Sequence, residues 1–256
     1  MIETLRKISK YGIIFCIIGY LSAIFFLRTL PAPKTILPAL DNEPVQSATE
    51  REPLSFEYRG KNYLVKPLAE YELWGLVVSH NDINKWYNFY HDKDSVNIKD
   101  LCVIWGENIR SQVYQKMKFD SGEWTCYPKR DSSMDSDTAR LYNLWQLSNN
   151  HLLSSDEEVR RVINEARVGD QIHFKGALVS YGQAGTPEQY YRASSLTRKD
   201  YGCEVVLVDE MEILKKGLVW QYELKKWSII IFLFLILFKI TLFIIANRKY
   251  LFAKRQ

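Results

Sequence analysis

The sequence predicts an α+β protein: a β-dominated domain of the curled, OB-like kind, with two helices inserted among its strands and a transmembrane helix on either side. Three observations lead there. Two apolar runs stand near the ends of the 256-residue chain, "YGIIFCIIGYLSAIFFL" at 11–27 and "SIIIFLFLILFKITLFIIA" at 228–246. Between them, apolar residues alternate with polar ones in several short segments, the pattern of half-buried strands. Two stretches of helical spacing interrupt that series.

Each apolar run approaches the roughly 20 residues that cross a bilayer core. The first follows Arg6, Lys7 and Lys10, and "RTLPAPK" after it offers no small-residue cleavage site, so an uncleaved anchor is expected. Residues 1–28 are then a cytoplasmic tail and first span, and residues 217–256 a juxtamembrane segment, second span and basic tail. Basic residues in both tails favour a cytoplasmic location for them, which would put the intervening domain outside. Lys239 lies inside the second run. Its amine is expected to snorkel toward the headgroups or to meet another transmembrane helix.

Residues 29–55 contain five of the eight prolines and no sustained period, and read as an extended linker. The folded domain is expected over 56–216. "FEYRGKNYLVKP" has the form of a hairpin around Arg59-Gly60-Lys61-Asn62. "YELWGLVVSH", "DLCVIWG" and "EWTCYP" follow as strands. "DSDTARLYNLWQLS" places Leu141, Leu144, Trp145 and Leu147 on about one helical face. "SSDEEVRRVINEARV" opens with Ser155 and Glu158 at capping-box spacing and carries Val159, Ile163 and Ala166 on one stripe. "GDQIHFKGALVSY" and "GCEVVLVDEMEIL" return to strand, and Gly176 would allow a bend in a curled sheet.

Charge excludes one class of partner. Of 34 basic and 30 acidic residues, nine basic and one acidic lie outside residues 29–226, which leaves 25 basic against 29 acidic between the spans. A net of −4 disfavours tracking of a phosphate backbone, so no nucleic acid is expected as partner. The expected partners are the lipid bilayer and a membrane protein or a second copy of the chain.

The phrases "WGLVVSH", "DLCVIWGENI", "LSNNHLL", "VGDQIHFKGALVSY" and "SSLTRKDYGCEVVLV", in that order over residues 72–214, resemble a family of membrane-anchored bacterial envelope proteins of unassigned activity. The resemblance implies a bacterial inner-membrane protein with a periplasmic domain. It supplies no activity and no site residues.

Candidate residues follow from side-chain chemistry. Cys102 and Cys126 lie in two strand-like segments and would be linked in an oxidising compartment; the alternative is two buried thiols. Cys203 would then be left as a buried thiol, and the absence of any C-x-x-C argues against a zinc ribbon or thioredoxin-like motif. His80, Asp82, His91 and Asp94 are of the types that bind zinc or manganese, but their spacing matches no ligand pattern, and a solvated loop is the plainer reading. Trp86 and Tyr87 in an aromatic-rich loop, with Arg198, Asp200 and Glu204 near a strand entrance, are candidate ligand-binding residues; a salt-bridged turn explains the latter three as well. His151 stands just before a helix start, where a turn or cap is expected, and His173 on the polar side of a strand. No nucleophile elbow, P-loop, H-E-x-x-H or G-x-G-x-x-G occurs. No cofactor is expected. The expected role is a non-catalytic binding or interaction module; the alternatives are a metal-assisted hydrolase using the His80–Asp94 region and a structural subunit of a membrane complex.

Overall fold

The structure, a computed structural model, describes residues 2–83, 95–122, 125–186, 190–197, 199–200 and 202–253. Two compact units emerge: Met1–Thr29 with Leu218–Gln256, and Leu30–Gly217. In the first, α1 (Ile2–Phe26) lies along a helix from the other end of the chain (Val219–Ala253; α5 in chain order). Both are long and apolar enough to cross a membrane. The pair packs closely where α1 has no side chain: a Cβ on Gly12 would lie 2.8 Å from Leu235, and one on Gly19 2.8 Å from the Ser228 hydroxyl. Small residues let helix backbones approach where the hydrophobic effect cannot drive them together.

The second unit is a strand ring with additions. Its strands are β1 (Val45–Ser47), β2 (Leu54–Tyr58), β3 (Lys61–Asp82), β4 (Lys99–Ile104), β5 (Met117–Ser121), β6 (Cys126–Arg130), β7 (Leu147–Leu153), β8 (Gln171–Gln183), β9 (Arg192–Ala193) and β10 (Glu204–Lys215). Short helices α2 (Glu107–Arg110) and α3 (Ser136–Arg140) and the longer α4 (Glu157–Glu165) lie among them. Pairing runs β3-β4-β7-β10-β8, and a further β8–β3 ladder closes the five strands on themselves. β7 and β10 run parallel; the other neighbours in the ring are antiparallel.

β3 makes closure possible. Its 22 residues pair with β8 from Tyr63 to Leu76 and with β4 from Leu76 to Asp82, so Leu76 is held on both sides. Register shifts between Pro67 and Ala69 and between Val77 and Ser79 bend it, as bulges do. The hairpin into β3 turns on Arg59 and Gly60, both at positive φ (52° and 76°), the geometry that matches strand twist in a two-residue loop. On β8, Gly176 is required by the close approach of the neighbouring β10: a Cβ there would sit 2.0 Å from the Leu207 carbonyl oxygen.

Inside the ring, Leu73, Val77, Leu101, Val103, Leu152, Phe174, Val206 and Val208 form one cluster with Ile163 and Ala166 from the α4 segment. Each fully buried side chain of this size contributes roughly 1.5–3 kcal/mol of transfer free energy. The stripe expected on α4 therefore closes one end of the core. Its cap differs from expectation: Asp156, not Ser155, accepts from the Val159 amide at 3.0 Å.

Two other expectations are corrected. The proline-rich stretch 29–55 is no free spacer. Leu40 is wholly buried, the Leu37 amide donates to Gln171 Oε1 at 2.7 Å, and Tyr114 donates to the Pro31 carbonyl at 2.9 Å. Short 3-10 turns at Pro33–Thr35 and Pro38–Asp41 spend the prolines where no amide hydrogen is needed. The helix expected over "DSDTARLYNLWQLS" stops at Arg140. Asn108 then grips Asn143 by its amide and carbonyl (2.8 Å each), and Leu147 begins a strand paired on both edges. Two ladders outweigh a helical periodicity that rested on four apolar residues.

Candidate functional site: a thiol, an imidazole and a carboxylate on one sheet face

Side chains alternate along β4, β7 and β10, so each strand presents one set to the ring core and one outward. On the outward face, pairing places Asp100 opposite His151 and Cys102 opposite Asn149. The parallel β7–β10 ladder begins at Asn150 opposite Glu204, which sets Cys203 beside Asn149. Asp100, His151 and Cys203 thus come from three adjacent strands onto one surface.

Their contacts form a chain. His151 Nδ1 lies 2.5 Å from Asp100 Oδ1, and Asn97 Nδ2 lies 2.7 Å from the same oxygen. On the other side of the ring, Arg192 Nη2 is 2.6 Å from His151 Nε2. A guanidinium only donates, so this is the arrangement of a neutral imidazole with its proton on Nδ1, directed at Asp100. Asn149 Nδ2 lies 3.7 Å from the Cys203 sulfur, and His151 and Thr125 stand close enough to influence the thiol's ionisation.

The electrostatics favour charge separation across this pair. Burial opposes a charged His151, but the Asp100 and Cys203 hydrogen bonds outweigh it and the opposing Arg192, and the imidazole pKa is raised. Burial likewise opposes a thiolate at Cys203, yet the His151 bond and its charge outweigh burial and the thiol pKa is lowered. A thiol whose proton passes to an adjacent base is the activated form of a cysteine nucleophile. Asp100 and His151 are each 1% exposed, while Cys203 is partly open. Cys203, Asn149, Ser148, Thr125, Cys126 and Trp145 are among the residues lining a cavity of about 120 Å³. Asp100 Oδ2 and Asn97 Oδ1 are buried without a hydrogen-bond partner among the described residues.

Cys102 and Cys126 are bonded, with a Cα–Cα separation of 6.0 Å. Their strands are not neighbours in one sheet: among the described residues β6 pairs only β5, and the bridge ties this separate hairpin to β4. Neither Cys203 nor Cys16 takes part in a disulfide.

The remaining candidates scatter. Trp86, Tyr87, His91, Asp94 and Arg198 lie outside the described residues. His80 Nδ1 is 3.7 Å from Asp82, whose carboxylate is bound by the buried Lys99 at 2.9 Å. Lys99 also donates to the Ala166 carbonyl (2.6 Å) and the Asn164 carbonyl (3.0 Å) at the C-terminal end of α4. Asp82 is thus committed to an internal cation. Among the described residues, no three His, Cys, Asp or Glu gather as metal ligands. Asp200 is exposed and accepts from Gly202 N and Ser195 Oγ, whereas Glu204 is buried, so the two share no ligand-reading face. Lys239 lines an open groove between α1 and α5 with Arg6, Lys7 and Lys10.

Sequence reasoning missed Asp100, His151 and Cys203 as a group, because "SNNHLL" was read as a cap. No local signal marked them: the strand identity of this segment comes from pairing on both of its edges.

No protein-family model matches the chain, and no curated protein or solved structure matches it significantly.

Proposed function

We propose that the protein is a membrane-anchored thiol enzyme of the bacterial envelope, in which Cys203 is the nucleophile, His151 the base and Asp100 the group that orients the base. The observation that carries the reading is the continuous chain from the Cys203 thiol through His151 to Asp100 Oδ1, 2.5 Å from Nδ1. Asp100 fixes the tautomer that leaves Nε2 as acceptor, and the thiol proton moves to the ring as the sulfur becomes nucleophilic. Arg192 Nη2 stands 2.6 Å from Nε2, so proton transfer to that nitrogen requires the guanidinium to leave it.

Several observations support the wider setting. Helices able to span a membrane flank the domain. A bonded Cys102–Cys126 pair favours an oxidising compartment, which together with the basic tails supports a periplasmic domain and an inner-membrane anchor. The basic groove holding Lys239 faces anionic headgroups in that orientation. A ring in the order first, second, third, fifth, fourth strand, with third and fifth parallel and a helix between third and fourth, supports the OB-like reading. This role departs from the non-catalytic binding module expected from the sequence.

Alkylation of the full chain in detergent with iodoacetamide, mapped by peptide over pH 5–10, tests the site. Cys203 should react with a midpoint below the ordinary thiol value of roughly 8.5. His151→Gln should move that midpoint upward. An ordinary midpoint unaffected by His151→Gln, or a thiol inert at all pH values, would remove the reading.

A further inference from the structure

An electrophile for Cys203 must reach its sulfur through the cavity of about 120 Å³ that the thiol lines. One is already present. Cys126 lines the same cavity as Cys203, and Thr125, the residue before Cys126, stands close enough to the Cys203 thiol to influence its ionisation. Strand register adds direction. Cys102, Asn149 and Cys203 stand side by side on β4, β7 and the start of β10, all on the outward face. Cys126 comes down on this row from the β5–β6 hairpin, bonded to Cys102 at one end and sharing the cavity with Cys203 at the other.

We propose that Cys203 performs thiol–disulfide exchange, with the Cys102–Cys126 bridge as its built-in substrate. The proposal rests on the reading of Cys203 as an activated nucleophile and assigns it a substrate class, the disulfide. The Cys203 thiol gives its proton to His151, and the thiolate attacks Cys126 Sγ. A Cys126–Cys203 bond forms, the Cys102–Cys126 bond breaks, and Cys102 leaves as a thiolate that takes up a proton. One thiol is consumed and one released, so no oxidant is needed. Attack at Cys126 rather than Cys102 follows from the shared cavity: Cys102 is wholly buried among Leu76, Ile104 and Tyr114. That burial disfavours the departing thiolate and holds the resting equilibrium on the Cys102–Cys126 side.

The consequence is a change in what the hairpin is tied to. In the resting bridge β5–β6 is fastened to β4; after exchange it is fastened to the entrance of β10. An external dithiol or disulfide reaching Cys203 would thereby be coupled to the position of the hairpin.

Peptide mapping of the full chain in detergent, equilibrated in reduced and oxidised glutathione at pH 7 and quenched with acid, tests this. In the wild type a minor Cys126–Cys203 species is expected, with Cys102 alkylated afterwards. In Cys102→Ser, Cys126–Cys203 should become the main bridge, and adding His151→Gln should slow its formation about tenfold. If Cys102→Ser fails to fold, the wild-type arm still decides through the minor species. Cys126 and Cys203 each capped by glutathione, with no bond between them in either protein, would overturn the exchange. Were Cys203 still to alkylate with a depressed midpoint in that case, the nucleophile reading would survive without its disulfide substrate. An ordinary midpoint and no bond would sink both.

Discussion

Two histidines on the outside of the same strand ring make opposite use of the same partner chemistry. His151 on β7 meets Asp100 at 2.5 Å with both side chains sealed from water. His173 on β8 lies 2.7 Å from Glu72 and 3.0 Å from Glu212, stacked on Trp74 at 4.5 Å, and its side chain is 15% exposed. The His173 cluster has two carboxylates and Lys175 3.2 Å from Glu72, so it is an ion-pair patch at the surface, where each pair is worth little. The His151 cluster has one carboxylate, a thiol, and a second carboxylate oxygen left unpaired among the described residues. Burial, not the number of charged neighbours, separates the two arrangements.

The largest expected difference is in stability. Removing one member of a buried hydrogen-bonded pair leaves the other desolvated and unpartnered, and Asp100→Ala should cost about 4 kcal/mol. Glu72→Gln should cost under about 1 kcal/mol. Urea unfolding of the two variants measures this directly. Near-equal losses would show that the inner cluster is as well hydrated as the outer one.

Next comes the cross-link that covers only the His151 side. The bridge closes a sequence separation of 24, and replacing both Cys102 and Cys126 by Ala should cost about 3 kcal/mol in the chain-entropy account. The same variant should speed alkylation of Cys203, since the hairpin that lines its cavity loses its tie to β4. Slower or unchanged labelling would mean that the hairpin is held in place without the bond.

A smaller effect concerns reactivity. His151→Gln should lower the rate of Cys203 alkylation at pH 7 by about tenfold, equivalent to about 1.4 kcal/mol. His173→Gln should leave it unchanged. Equal effects from both would place the cause in general electrostatics rather than in the contact between His151 and the thiol.

The outer histidine was legible in the sequence and the inner one was not, for a physical reason. "QIHFKG" alternates, so His173 falls on the polar side between Ile172 and Phe174 by local pattern alone. "SNNHLL" carries no such alternation: its strand identity comes from pairing on both edges, and its neighbours Asp100 and Cys203 are 51 and 52 residues away in sequence. The membrane-length helices and the order of most strands were readable for the same local reason as His173. The Cys102–Cys126 bond was one of two readings of the pair, and local pattern could not show that it would join separate sheets. The docking of residues 29–55 was hidden because contacts such as Trp105 Nε1 to Glu43 Oε2 at 2.9 Å are made by a stretch with no period of its own.

The smallest and most discriminating difference is the sign of the pH dependence. Burial raises the Glu72 pKa, but hydrogen bonds from His173 and Lys175 outweigh it, and the carboxyl titrates below its ordinary value of 4.5. A depressed carboxylate contributes stability that is fully present above its unfolded pKa and is lost as pH falls through the folded one. The gap in stability between wild type and Glu72→Gln should therefore hold near neutrality and close on the acid side, below pH 4.5. His151 behaves in the opposite sense. Burial lowers its proton affinity, but the bonds to Asp100 and Cys203 raise it above 6.5 on balance. Its contribution is fully present below 6.5 and is lost as pH rises through the folded value. The gap between wild type and His151→Gln should therefore close on the alkaline side. Urea midpoints of the three proteins from pH 3 to 9 give both slopes in one experiment. Slopes of the same sign would mean that His151 stays neutral throughout, held by Arg192 at Nε2, and the thiol would then have no base.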